Sequence, residues 1–142
     1  MTAFLYKIAE AIGIGDPFHP MFVHNTIGTI VASVVFAILA EILKRPHYYN
    51  VARYNANLTL VASIITIILG IMDWLYFRNG STEITYILKL VVSGVLLALL
   101  AVTFVLNRKS ENKDGSKLLL IMYIANFVTA AVLGYLGGSL VY

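Results

Sequence analysis

The sequence predicts an all-α integral membrane protein: an antiparallel four-helix transmembrane bundle with a short N-terminal amphipathic helix, folded as a single membrane domain over residues 1–142. Composition is the first observation behind this. Of the 142 residues 60% are hydrophobic and 12% charged, with a mean hydropathy of +0.86, whereas soluble domains are roughly 45–50% apolar and about 25% charged. Too few charges remain to coat a globule in water, which excludes a soluble enzyme. The second observation is four long runs almost free of charge. Each holds about 22–24 residues, or about 33–36 Å of helix, enough to cross a hydrocarbon layer of about 30 Å with modest tilt. The third is that the connections are short, which makes consecutive helices antiparallel neighbours.

Thr2 to Ile14 reads as the amphipathic helix. Phe4, Leu5, Ile8 and Ile12 fall on one face and Lys7 and Glu10 on another, the pattern of a segment lying on a membrane surface. Glu10 and Asp16 interrupt the apolar stretch and no small-residue cleavage pattern precedes the first span, so the segment is not read as a signal peptide. The spans follow at 21–43, 56–77, 84–106 and 118–140. Pro20 suits a first helical turn, where its missing N–H has no partner anyway. Pro46 lies in the connection from Lys44 to Arg53, Asn79-Gly80 in that from Arg78 to Thr82, and Gly115 in that from Asn107 to Lys117. Lys44, Arg45, Arg53, Arg108, Lys109, Lys113 and Lys117 flank one side of the bundle, against Lys7 and Arg78 on the other. The positive-inside rule makes the richer side cytoplasmic, with both termini and the second loop outside a cell membrane of the cytoplasmic type. The net charge of +3 is thereby assigned to topology, and nucleic acid is not an expected partner.

Helices in lipid associate through small and polar residues, because apolar surface gains little by leaving lipid for more apolar surface. Thr59, Ser63, Thr66, Gly70 and Asp73 form one such stripe down the second span, and Asn25, Thr29 and Ser33 another in the first. Asn126, Ala130, Gly134 and Gly138 repeat every four residues in the fourth, with Gly137 beside them. That stripe packs within the chain or supports a homo-oligomer. Ionisable residues inside spans are costly, at least about 2.5–3.5 kcal/mol at a helix centre, unless paired or near an interface. His24, Asp73 and Lys89 fall at similar depth below the outer surface. Asp73 and Lys89 stand eight residues either side of Ser81 in the second hairpin, so they are expected to form an ion pair. His19 and His24 bracket the start of the first span as candidate metal or cofactor ligands. A spacing of five sets two side chains about 140° apart on a regular helix, so both can reach one metal only if His19 lies outside the helix. His47, with Tyr48 and Tyr49, reads as interfacial, and Trp74, Tyr76 and Phe77 as an aromatic belt. Gly-rich phosphate loops, HExxH and GxSxG are missing, and no nucleophile stands beside a base. The lack of cysteine excludes disulfides, thiolate metal sites and covalent c-type haem.

The stretches FHPMFVHNTIGTIVAS (18–33), GIMDWL (70–75) and GYLGGSLVY (134–142) together resemble a bacterial and archaeal four-helix membrane family of unknown function. Its signature is similar to HPxxVHFPI, GxxDW and GGYLGGxLVY followed by an RHG-like tail. His19, Pro20, His24, Asp73, Trp74, Gly137 and Gly138 match residue by residue. The resemblance implies b-type haem or an electron-transfer role, since relatives are sometimes fused to Rieske-type or cytochrome c-type domains. Two departures stand out. Lys89 takes the place of a third-span histidine, and the sequence runs to Tyr142, short of the histidine in the usual tail. Lys89 or Met72 would then supply the second axial ligand beside His24 or His19.

Two functions are therefore expected. One is a membrane subunit of a redox or respiratory system holding haem b. The other, non-enzymatic, is a cofactor-free scaffold or anchor in a larger membrane complex, surrounded by membrane lipid. A proton or small-solute pathway along the Thr59 to Asp73 stripe is a third.

Overall fold

The structure, a computed structural model, describes residues 2–11, 18–110 and 117–138. They form five helices: α1 (Thr2–Ala11), α2 (Phe18–Leu43), α3 (His47–Phe77), α4 (Ile84–Lys109) and α5 (Lys117–Gly138). Helices α2 to α5 are each long and apolar enough to cross a membrane, so the chain is a multi-pass membrane protein. They close into a ring in which α2 packs on α3 and α5, and α4 packs on the same two neighbours. The connections fit their residues. Asn79 and Gly80 take positive φ of 49° and 66° in the α3–α4 turn, conformations open to asparagine and glycine. The Trp74 indole then donates to the Ser81 carbonyl at 2.9 Å and closes that turn.

The inside and outside of the ring invert the pattern of a water-soluble bundle. Large aliphatics such as Val35, Ile38, Ile64 and Ile68 face outward, while the α2–α3 seam is made of small residues. Ala37 and Ala52 are both 0% exposed, which brings the two backbones close. Hydroxyls bridge the gap: Thr59 donates to Thr29 at 2.8 Å and Thr26 meets Thr66 at 2.8 Å. The predicted α3 stripe is thus the face turned to α2. On α2 the buried positions are Thr26, Ile30, Ser33, Ala37 and Ala40. Asn25 is exposed, so the predicted stripe is displaced by one residue there, and Thr26 takes the inward place.

The second span begins earlier than hydropathy suggests. Helix α3 starts at His47, with Pro46 at its cap, so Arg53 belongs to its second turn and not to a loop. At 31 residues the helix is about 46 Å long, more than a bilayer core requires. Its extra turns sit at the basic end, where polar groups are buried against each other. Arg53 donates to the Ser110 carbonyl at 2.6 Å and to Asn50 at 3.2 Å. Tyr49 donates to Glu41 at 2.6 Å, and Tyr123 to Asn107 at 2.7 Å. His47 stands at the start of α3, its ring 4.0 Å from that of Tyr48.

At the other end α1 docks on α3. Among its described side chains Tyr6 is buried, while Phe4 and Ile8, from the predicted apolar face, are exposed; the Leu5 side chain and Ile12 lie outside the described residues. The Tyr6 ring stacks on Tyr76 at 4.3 Å and on Phe18 at 5.1 Å, and meets Phe77 edge-on. Tyr76 and Phe77 therefore clasp α1, beyond any belt role.

Replacing Ala52 with leucine forces side-chain volume into the α2–α3 seam, an overpacking worth about 1–3 kcal/mol. Unfolding by denaturing detergent is expected to show a loss of that size for Ala52→Leu. Leu58→Ala, at a position 54% exposed, is expected to stay within about 0.5 kcal/mol of the parent.

Candidate functional site

The starts of α2 and α4 and the ends of α3 and α5 meet at the end of the ring away from the basic loops. Between them lies a cavity of about 730 Å³ bordered by all four spanning helices. A recess of about 170 Å³ between α3 and α4 shares its His19, Gly70 and Lys89 walls.

His19 is held from two directions. Its Nδ1 lies 2.9 Å from the Thr66 carbonyl oxygen, a contact in which the ring must donate. That bond leaves Nε2 as the nitrogen with a free lone pair in the neutral ring. Gly70 makes the room: a Cβ there would lie 2.9 Å from His19 Nδ1 and 3.1 Å from Cε1. Any larger residue at position 70 would push on the imidazole.

Asp73 caps α2 from the neighbouring helix. Its carboxylate accepts from the backbone N–H of His19 at 2.8 Å, from that of Phe18 at 3.3 Å, and from the Tyr6 hydroxyl. Two otherwise orphaned amides at a helix N-terminus are satisfied this way, where the helix dipole also favours negative charge. The expected ion pair with Lys89 does not form. Among the described residues the one ion pair is Lys44–Glu41, at 3.8 Å. Counting residues from the turn gave the depth of Asp73 and Lys89 but not their directions around the helices. Asp73 faces α1 and α2, whereas the Lys89 ammonium lies 3.9 Å from where a Cβ on Gly137 of α5 would be.

His24 borders the same cavity from an exposed position. Because α2 is helical from Phe18 through Leu43, His19 and His24 project about 140° apart and cannot ligate one ion together. No group of three or more histidines and carboxylates able to hold a metal occurs among the described residues. A haem held by two histidines does not fit this donor set either, and Met72 is not on the cavity wall. A histidine with Lys89 is the pairing of candidate ligands that the cavity does bring together.

For the α5 glycines the structure bears on one of the two alternatives, packing within the chain. A Cβ on Gly134 or Gly138 would meet nothing within 4 Å, so neither marks a close approach of helices inside the chain. With Ala130 and Gly137 they border the cavity. Asn126, in the same stripe, is buried deeper and donates to Thr103 at 2.9 Å. Two groups escaped the sequence reading. Tyr86 and Arg78 line the cavity, and Tyr6 holds Asp73. Nothing in the sequence of α1, TAFLYKIAEA, sets Tyr6 apart as a partner for a residue 67 positions away.

Over residues 15–142 the chain matches a family model described as predicted membrane protein (DUF2231). No curated protein and no solved structure gives a significant match.

Separate engagement of Asp73 and Lys89 predicts a double-mutant cycle with little coupling. Asp73→Ala is expected to cost about 2 kcal/mol through the lost cap and charge-assisted bonds. Its coupling energy with Lys89→Met, measured by unfolding in detergent, is expected below about 0.5 kcal/mol. A coupling above about 1 kcal/mol would restore the ion pair.

Proposed function

Because the chain belongs to the DUF2231 family of membrane proteins, we propose that it is a membrane-embedded binding subunit whose four spans hold a lipophilic small molecule. The cavity carries this reading. Its volume of about 730 Å³ falls within the roughly 300–1,000 Å³ of small-molecule sites, and such sites combine apolar walls with a few placed polar groups. Here Ile27, Ile30, Leu96 and Leu133 supply apolar wall, and His19, His24, Lys89 and Asp73 the polar points.

One observation favours a second reading, a b-type haem in a membrane redox system. Ligating histidines usually donate their other ring N–H to a carbonyl or carboxylate, and His19 makes that bond to Thr66. His19 or His24 would serve as one axial donor and Lys89 as the other. A bound haem would supply one-electron chemistry, with the protein contributing ligands and an apolar surround.

For orientation we propose that the basic end is cytoplasmic, as the positive-inside rule requires. The cavity and α1 then lie at the outer face of the cell membrane. The absence of cysteine from the sequence makes single-cysteine labelling clean. Thr82→Cys is expected to react with a membrane-impermeant maleimide in intact cells, and Arg45→Cys only after permeabilisation; the reverse pattern inverts the topology.

The occupant is tested by absorption spectra of the detergent-purified protein, oxidised and dithionite-reduced, with mass spectrometry of its organic extract. A stoichiometric extracted molecule without a Soret band supports the binding subunit. A Soret band that sharpens on reduction and is lost in His19→Ala or His24→Ala supports the cytochrome. A colourless protein with an empty extract, co-purifying with a larger complex, favours a scaffold instead.

A further inference from the structure

We propose that the cavity selects an amphiphile with an anionic head, a carboxylate or phosphate, seated against Lys89 with its apolar chain along the cavity wall. This rests on the reading of the cavity as a ligand site and adds the class of ligand.

The charge balance of the wall carries the inference. Charged side chains within a membrane span pair with one another or face a cavity. Lys89 lies in α4 with its side chain on the cavity, and no ion pair reaches it among the described residues. Asp73 is the carboxylate on that wall, and both its oxygens are engaged by the start of α2 and by Tyr6. The helix N-terminus compensates Asp73, so the lysine is left with no counter-charge of its own. Arg78 adds a second cation on the lining. An incoming anion would supply the missing charge, and in a low-dielectric surround it would do so more strongly than in water.

A second observation points the same way. Ser63 Oγ, in a residue 2% exposed, borders the cavity and has no hydrogen-bond partner among the described residues. Buried hydroxyls are normally satisfied. A polar atom of the occupant, or a water entering with it, would complete the serine deeper in the bundle than the lysine. The rest of the lining toward that depth is largely aliphatic, which suits a hydrocarbon chain and not a free anion.

The test uses the full chain in dodecyl maltoside and tritiated palmitate as the probe, in a scintillation-proximity assay. Saturable binding is expected, displaced by unlabelled palmitate and by dodecyl phosphate but not by methyl palmitate, which keeps the chain and loses the charge. Lys89→Gln is expected to weaken binding at least tenfold and Lys89→Arg to restore most of it. Lys117→Gln, at the opposite end of the bundle, is expected to bind as the parent does. Should Lys89→Gln fail to give a monodisperse protein, Gly137→Val serves in its place, since a branched side chain there crowds the Lys89 ammonium. Equal displacement by methyl palmitate, or full binding in Lys89→Gln, would overturn the anionic head while leaving a lipophilic site. Absence of any saturable palmitate binding, together with an empty organic extract, would overturn the site itself.

Discussion

The close approach of α2 and α3 is the contact from which the rest of the structure follows. With Ala37 and Ala52 fully buried between them, the two backbones come near enough for short hydroxyl side chains to meet across the gap. Thr26–Thr66 and Thr29–Thr59 do so. The same proximity puts Thr66 within reach of His19 and leaves Gly70 as the position where the imidazole fits. One turn further, Asp73 reaches the first amides of α2. The orientation of the histidine at the cavity is thus a consequence of alanines some distance along the seam. In lipid such a seam has no hydrophobic driving force to fall back on, so its strength lies in dispersion contacts and these hydrogen bonds.

The opposite faces of the bundle explain why there is a cavity at all. Read along its inward side from the basic end, α5 presents Leu119, Tyr123, Asn126, Ala130 and then Gly134 and Gly137. From Tyr123 onward these side chains shrink toward the outer end while the helices continue. At the basic end, tyrosine, asparagine and arginine fill the space and satisfy one another, as in Tyr123–Asn107 and Asn107–Asn57. At the other end the glycines leave it open, and on its border His19 is held at Nδ1 while Ser63 Oγ has no hydrogen-bond partner among the described residues.

Hydropathy made the four spans legible because each is a nearly unbroken apolar run, and a bilayer demands about the same length of all of them. It could not place the start of α3. The segment from His47 to Asn55 mixes arginine, asparagine and tyrosine, and reads as a loop until Arg53 is seen folded onto Ser110. Periodicity gave the inward face of α3, and on α2 it placed Thr29 and Ser33 but missed at Asn25, which is exposed. Spacings of four rotate about 40° past a full turn at each step, so a stripe drawn through Asn25, Thr29 and Ser33 begins off the face that Thr26 and Ile30 occupy. The partner of Asp73 was beyond sequence reasoning altogether. It depends on where α1 docks, and that rests on one tyrosine meeting three rings from two other helices.

That docking ties the surface of the protein to its interior. Tyr6 hydrogen-bonds the same carboxylate that holds the amide of His19, so α1, the end of α3 and the start of α2 share one acceptor. Undocking α1 would remove one of the three donors to Asp73 and leave the two α2 amides in place. With α1 seated, the α2 N-terminus and the tyrosine together hold the carboxylate, and it forms no ion pair with Lys89. The placing of Asp73 at the cavity therefore depends in part on a helix outside the four-helix ring, through the way one aspartate distributes its two oxygens.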